Sequence, residues 1–130
     1  MRLLLDTHVW VWTLLDTGRV GSKARSAIES AANEIWLSPI SVWEAMLLGD
    51  GTKLRLRPDP ASWVRQSLAA WPLVEAPITH EIAVSSRRIS LAHDDPADRF
   101  LAATAKLLNL TLVTADERLL RCREVKTLRA

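Results

Sequence analysis

The residues with a capacity for chemistry in this chain are carboxylates. There is a single cysteine, Cys122, and there are three histidines, so neither an internal disulfide nor a cysteine metal site can form. Four acidic residues stand at informative places. Asp6 follows Leu3-Leu4-Leu5 directly, and Asp116 follows Thr111-Leu112-Val113-Thr114-Ala115. Glu44 lies about one and a half helical turns past the apolar run Ile35 to Leu37, and Asp98 opens the helix that leads to Thr111. Carboxylates brought together repel, and burial raises their pKa unless a cation offsets the charge. Mg²⁺ and Mn²⁺ do this best, because hard ions prefer oxygen donors. Such an ion lowers the pKa of a bound water and stabilises charge building on a phosphate, and two ions roughly 3.5–4 Å apart do so on both sides of a scissile bond. Phosphodiester hydrolysis is the reaction this set suits.

Each acid also has a plainer explanation. Asp95 and Asp98 are what a helix start requires, for capping and for the macrodipole, and the same applies to Asp6 and Asp116. Glu44 has the weakest such excuse. It falls mid-helix between Trp43 and Ala45-Met46-Leu47-Leu48, where a charge costs free energy unless it has a partner.

The elements that must position these acids alternate between short apolar runs and helix-period stretches, which predicts a mostly parallel α/β sheet. Arg2 to Leu5 reads as a buried strand, with a helix from Thr7 to about Leu15. Ser22 is placed to cap a helix whose stripe is Ala24, Ala27, Ile28, Ala31 and Ala32. Ile35 to Leu37 is a second strand, and Ser38-Pro39 turns into the helix that carries Glu44. After a loop with Gly49, Gly51 and Pro58, the residues Val64, Leu68 and Trp71 mark a helix ended by Pro72. Leu73 to Ile78 reads as extended, and Thr79 opens a helix through Ile82 and Ile89. Asp95-Pro96-Ala97-Asp98 starts a helix with an Asp cap and proline in its first position; its stripe is Phe100, Leu101, Thr104, Leu107 and Leu108. Thr111 to Thr114 is a strand, a short helix starts at Asp116, and Val125 to Leu128 is an edge strand. In such sheets the carboxyl ends of the strands form the ligand crevice, so all four acids should border one end of one sheet.

With 130 residues, 48% hydrophobic and 25% charged, the chain has the size and balance of one ordinary globular domain spanning residues 1–130. A formal charge of +2 and a pI near 9.1 do not by themselves mark a nucleic-acid binder. The opening apolar run is too short for a membrane anchor or signal peptide, so a cytoplasmic protein with no membrane partner is expected.

Four segments together resemble the successive motifs of the VapC-type PIN-domain toxins. They are Leu3-Leu4-Leu5-Asp6-Thr7-His8-Val9-Trp10, Ser38-Pro39-Ile40-Ser41-Val42-Trp43-Glu44, Asp95-Pro96-Ala97-Asp98-Arg99-Phe100-Leu101-Ala102-Ala103-Thr104-Ala105 and Leu112-Val113-Thr114-Ala115-Asp116. The match runs in order from residue 3 to 116, and its first and third motifs are the more specific. The resemblance implies a PIN-like three-layer sandwich, a central four- to five-stranded sheet between helices. It implies that Asp6, Glu44, Asp98 and Asp116 hold Mg²⁺ or Mn²⁺, with Thr114 the hydroxyl near the site and Thr7 and Ser41 as supporting polar residues. It further implies an endoribonuclease acting on RNA, a toxin homodimer and a cognate antitoxin protein. One departure is Leu48, where many relatives carry a lysine four residues after the glutamate.

Other residues carry weaker expectations. His8 either faces the cleft or, as its helix favours, packs the first helix, and His80 and His93 are expected to be solvated near turns. Arg99 should serve the sheet-edge carboxylates or the surface. Lys53, Arg55 and Arg57 alternate with Leu54 and Leu56, so an extended segment would put the three cations on one face, available to RNA phosphates or to water. The apolar run from Val9 to Leu15 leaves the first helix hydrophobic nearly all round, which predicts burial against a second surface. Gly49-Asp50-Gly51-Thr52 lacks the preceding strand and nucleophile of an aspartyl-phosphatase, and no P-loop or dinucleotide fingerprint is present. A receiver-like signalling domain would need a second acid at Asp6 and a lysine near the last strand. Within the PIN family, a housekeeping RNA-processing nuclease or a non-catalytic RNA-binding domain are the alternatives.

Overall fold

The structure, a computed structural model, describes all 130 residues. Five parallel strands form one sheet in the order β3-β2-β1-β4-β5. They are β1 (Arg2–Leu5), β2 (Glu34–Leu37), β3 (Val74–Glu75), β4 (Thr111–Thr114) and β5 (Lys126–Arg129). The chain builds outward from β1 in one direction, then returns to lay β4 on its other side. The order therefore reverses between β1 and β4, and the carboxyl ends of these two strands, joined in register Leu5 to Val113, flank the crevice where sheets of this kind bind ligands.

Seven helices cover the two faces: α1 (Thr7–Leu15), α2 (Ser22–Glu29), α3 (Pro39–Asp50), α4 (Pro60–Ala70), α5 (His80–Arg88), α6 (Pro96–Leu108) and α7 (Glu117–Leu120). Alternation along β1 divides the core. Leu3 and Leu5 join Ile35, Leu37 and Val113 beneath α1, α2 and α4. Leu4 points the other way, with Leu112, against Leu101, Ala102 and Ala105 of α6. This is the three-layer α/β sandwich expected from the sequence.

Local chemistry sets the helix ends. Asp6, Ser38, Asp59, Thr79, Asp95 and Asp116 each cap a helix through a side-chain oxygen, and proline occupies the first turn of α3, α4 and α6. Helix α6 stops at Asn109, whose left-handed backbone (φ 54°) closes the last turn.

Several details differ from expectation. Gly21, not Ser22, is the cap residue of α2, and the helix ends before Ala31 and Ala32, which are exposed. The buried stripe of α4 is Trp63 and Val64, while Leu68 faces outward. On α6 the buried residues are Ala97, Arg99 and Leu101 to Ala105, with Leu107 exposed; small alanines let this helix lie close on the sheet. Residues 53–57 are loop, not strand, yet the cations are exposed and Leu56 is buried. Helix α1 is mostly sunk in the core, with Val9, Trp10 and Val11 inaccessible and only Leu14 and Leu15 bare among its large apolar residues.

Candidate functional site

A cavity of about 360 Å³ opens at the carboxyl ends of β1 and β4, lined by Asp6, His8, Trp12, Glu44, Asp95, Asp98, Ala115, Asp116 and Arg118. The four acids singled out in the sequence meet here, joined by Asp95. Four separate elements deliver them. Asp6 caps α1 at the end of β1, Glu44 projects from α3, Asp98 stands in the first turn of α6, and Asp116 caps α7 just beyond β4.

Asp6 is the most buried of them. Its Oδ1 accepts from the His8 N–H (2.9 Å) and its Oδ2 from the Thr114 hydroxyl (2.6 Å). The same Thr114 oxygen accepts from the Asp116 N–H (3.0 Å), so one hydroxyl ties the two strand ends together. Thr7 donates to Ser41 (3.0 Å) with both side chains fully buried, pinning α1 to α3 behind the cavity. Thr114 is thus bonded to a carboxylate of the cavity, whereas Thr7 and Ser41 are bonded to each other, and all three are buried.

The charges of these acids are poorly compensated. Burial pushes the Asp6 carboxyl above its ordinary range, against the pull of the Thr114 and His8 hydrogen bonds. Burial likewise raises Glu44, with Asp95 and Asp6 adding repulsion. Asp98 is pushed up to about 6, first by burial and then by the negative field of Asp95, Asp6 and Asp116, despite a hydrogen bond from His93. Asp116 goes the other way, held below its ordinary range by the Arg118 guanidinium.

His93 is not solvated: its Nε2 lies 2.8 Å from Asp98 Oδ2 and both side chains are nearly buried. Of the two places open to His8, the structure shows the cleft rather than helix packing: it is exposed at the cavity mouth, its ring 5.8 Å from that of Trp12. Arg99 serves neither the carboxylates nor the surface. It is buried and donates to the carbonyls of Ser86, Ile89, Leu91 and His93. Arg118 went unnoticed; its position two residues after a candidate ligand was the available signal. Lys53, Arg55 and Arg57 are not brought to the cavity, and Arg55 and Arg57 border a separate depression beside Pro58.

The donor set is all oxygen and carries uncompensated negative charge, which is what a hard divalent cation requires. No three of the carboxylates and imidazoles stand close enough together to hold a metal ion as they are; the acids are spread around the cavity wall.

Residues 3–125 match the PIN domain family model. The chain belongs to the PIN-domain family. This PIN domain is 34% identical over 118 residues to ribonuclease VapC22 of Mycobacterium tuberculosis, a match covering 90% of this chain and 88% of that protein. At that identity and coverage it is of the VapC type. Its fold is also similar to that in the crystal structure of VapBC2 from Rickettsia felis bound to a DNA fragment from their promoter (TM-score 0.72, 17% identity, 100% of this chain and 99% of that one). The crystal structure of DNA-bound VapBC from Salmonella typhimurium is comparable, with a TM-score of 0.71, 18% identity, and coverage of 99% and 98%.

Proposed function

We propose that this chain, one PIN domain over residues 1–130, is a Mg²⁺- or Mn²⁺-dependent endoribonuclease, the toxin of a toxin–antitoxin pair. The observation that carries the reading is the convergence of Asp6, Glu44, Asp98 and Asp116 on one cavity at the point where strand order reverses. Bound among these four carboxylates, the ion would supply a Lewis acid that activates water and offsets phosphate charge. The protein's part is to hold the acids in place. Thr114 fixes Asp6 relative to Asp116, His93 fixes Asp98, and the Thr7–Ser41 bond keeps Asp6 and Glu44 apposed. None of the lining side chains is placed as a nucleophile beside a base, which fits attack by water.

The toxin role rests on the VapC-type relative, named a ribonuclease, and on structural neighbours that are VapBC complexes. By the same reasoning the partners are RNA, a cognate antitoxin and a second copy of the chain. Lys53, Arg55 and Arg57 offer exposed cations for RNA phosphates away from the cavity. No helix is long and apolar enough to cross a membrane, and a lone, buried cysteine suits a reducing cytoplasm.

The test is cleavage of total cellular RNA by purified protein with Mg²⁺ or Mn²⁺ against EDTA, beside Asp98→Asn. Discrete fragments that need metal and vanish in the variant are expected. Absence of metal-dependent cleavage by folded, antitoxin-free protein on its target RNA would turn the reading towards a binding role.

A further inference from the structure

Arg118 is the one permanent cation on a cavity wall that carries five carboxylates. If the proposed function holds, a phosphodiester must enter this wall. A divalent ion offsets two negative charges and leaves the remainder facing a polyanion. A positive group aimed at the incoming phosphate is what the electrostatics lack.

The geometry of Arg118 suits that task. Its Nε and Nη2 lie 3.2 and 2.9 Å from the two oxygens of Asp116, and Nη2 is 3.9 Å from Asp98 Oδ2. Nη1 has no protein acceptor, so one edge of the planar fork is docked and the other is open. The side chain is 51% exposed, so water screens its ion pair with Asp116, but the two-point contact fixes the plane of the fork. The backbone beneath it is fixed, because the neighbouring Leu119 is fully buried and the Arg118 N–H donates to Asp116 Oδ1 (2.8 Å). A firm base and an oriented head with one edge open are the properties of a clamp.

We infer that Arg118 binds the RNA phosphate in the acidic cavity, donating from its open guanidinium edge to a non-bridging oxygen while Asp116 orients the fork. This inference rests on the nuclease reading for its substrate, but its test separates the two. Arg118→Gln and Arg118→Lys are compared with the unaltered protein in three measurements. These are cleavage of a short RNA at saturating Mn²⁺, anisotropy of a fluorescein-labelled RNA oligonucleotide across a salt series in the Asp98→Asn background, and Mn²⁺ affinity by calorimetry.

A phosphate clamp predicts that Arg118→Gln lowers kcat/KM by about 10²-fold or more and reduces the salt slope of RNA binding by about one contact. Mn²⁺ affinity should be unchanged or tighter. Lysine should restore part of the affinity and little of the rate, since it keeps the charge and loses the fork. Weakened Mn²⁺ binding that accounts for the lost cleavage would overturn the clamp and make Arg118 a positioning residue for Asp116. Unchanged kinetics and salt slope would also overturn it. If the unaltered protein binds RNA without cutting it, the nuclease reading fails while the salt slope still decides the clamp. If it neither binds nor cuts, both fall.

Discussion

Asp98 sits under two opposed demands. Its neighbours push its proton affinity up, while the chemistry proposed for it needs a bare carboxylate. Because the folded state holds this proton to about pH 6, folded protein binds more protons than unfolded chain between about pH 4 and 6. Stability then falls as pH rises through that window, by on the order of 3 kcal/mol for Asp98, and Asp6 and Glu44 act in the same direction. Only the last part of that loss, about 0.8 kcal/mol, falls between pH 5.5 and 7, so metal-free protein should melt higher at pH 5.5 than at pH 7 by roughly 3 °C. Saturating Mn²⁺ at pH 7 should erase the difference, as thermal scans with and without EDTA would show. A metal-free melting temperature that climbs from pH 5.5 to pH 7 would contradict this account of the cluster. The four acids were legible in the sequence because each follows or opens a recognisable element. His93 and Arg118 were not, since a histidine in a turn and an arginine in a short helix have many uses. Only the fold shows that both face Asp98.

Arg99 exerts its effect at the scale of elements. Its guanidinium reaches Ser86 and Ile89 at the carboxyl end of α5, and Leu91 and His93 in the linker to α6. The negative end of a helix and a run of carbonyls take the place of a carboxylate partner. Replacing it with methionine strands those carbonyls and should cost on the order of 3 kcal/mol or more, read from the urea midpoint. The same change frees the segment that carries His93, so cleavage should fall further than stability alone requires. At the end of α6, Asn109→Val places a β-branched residue at positive φ and should cost about 1–2 kcal/mol, whereas Asn109→Gly should be nearly neutral. Thermal melts of the two variants make the comparison. Element types and order were readable from the apolar runs and caps. Their inner faces were less so: Leu68 and Leu107 fit helical stripes yet are exposed, because periodicity gives a face and not the neighbour that covers it. Arg99 was misread for the same reason, as its acceptors are backbone atoms that sequence does not distinguish.

The whole molecule leaves large apolar side chains bare on α3 as well as at the end of α1, where Leu14 and Leu15 are exposed. Trp43 and Leu47 are 52% and 55% exposed and, four residues apart, share one face of the helix. The proposed homodimer should draw on this pair. A Trp43→Ser, Leu47→Ser variant should sediment as a monomer at concentrations where the unaltered chain is a dimer, and Trp43 emission should shift to the red on dilution. A variant that still sediments as a dimer would place the contact elsewhere.

The bond from Thr114 to Asp6 spans 108 positions of the chain, and β1 finds one of its two neighbouring strands only when β4 is present. During synthesis, the N-terminal metal ligand proposed here would emerge from the ribosome long before the residues that complete its surroundings. A partly made chain has an Asp6 without Thr114 or Asp116, and no cavity. The proposed toxin would thus stay inert towards the messenger being translated until residues 111–116 had cleared the exit tunnel.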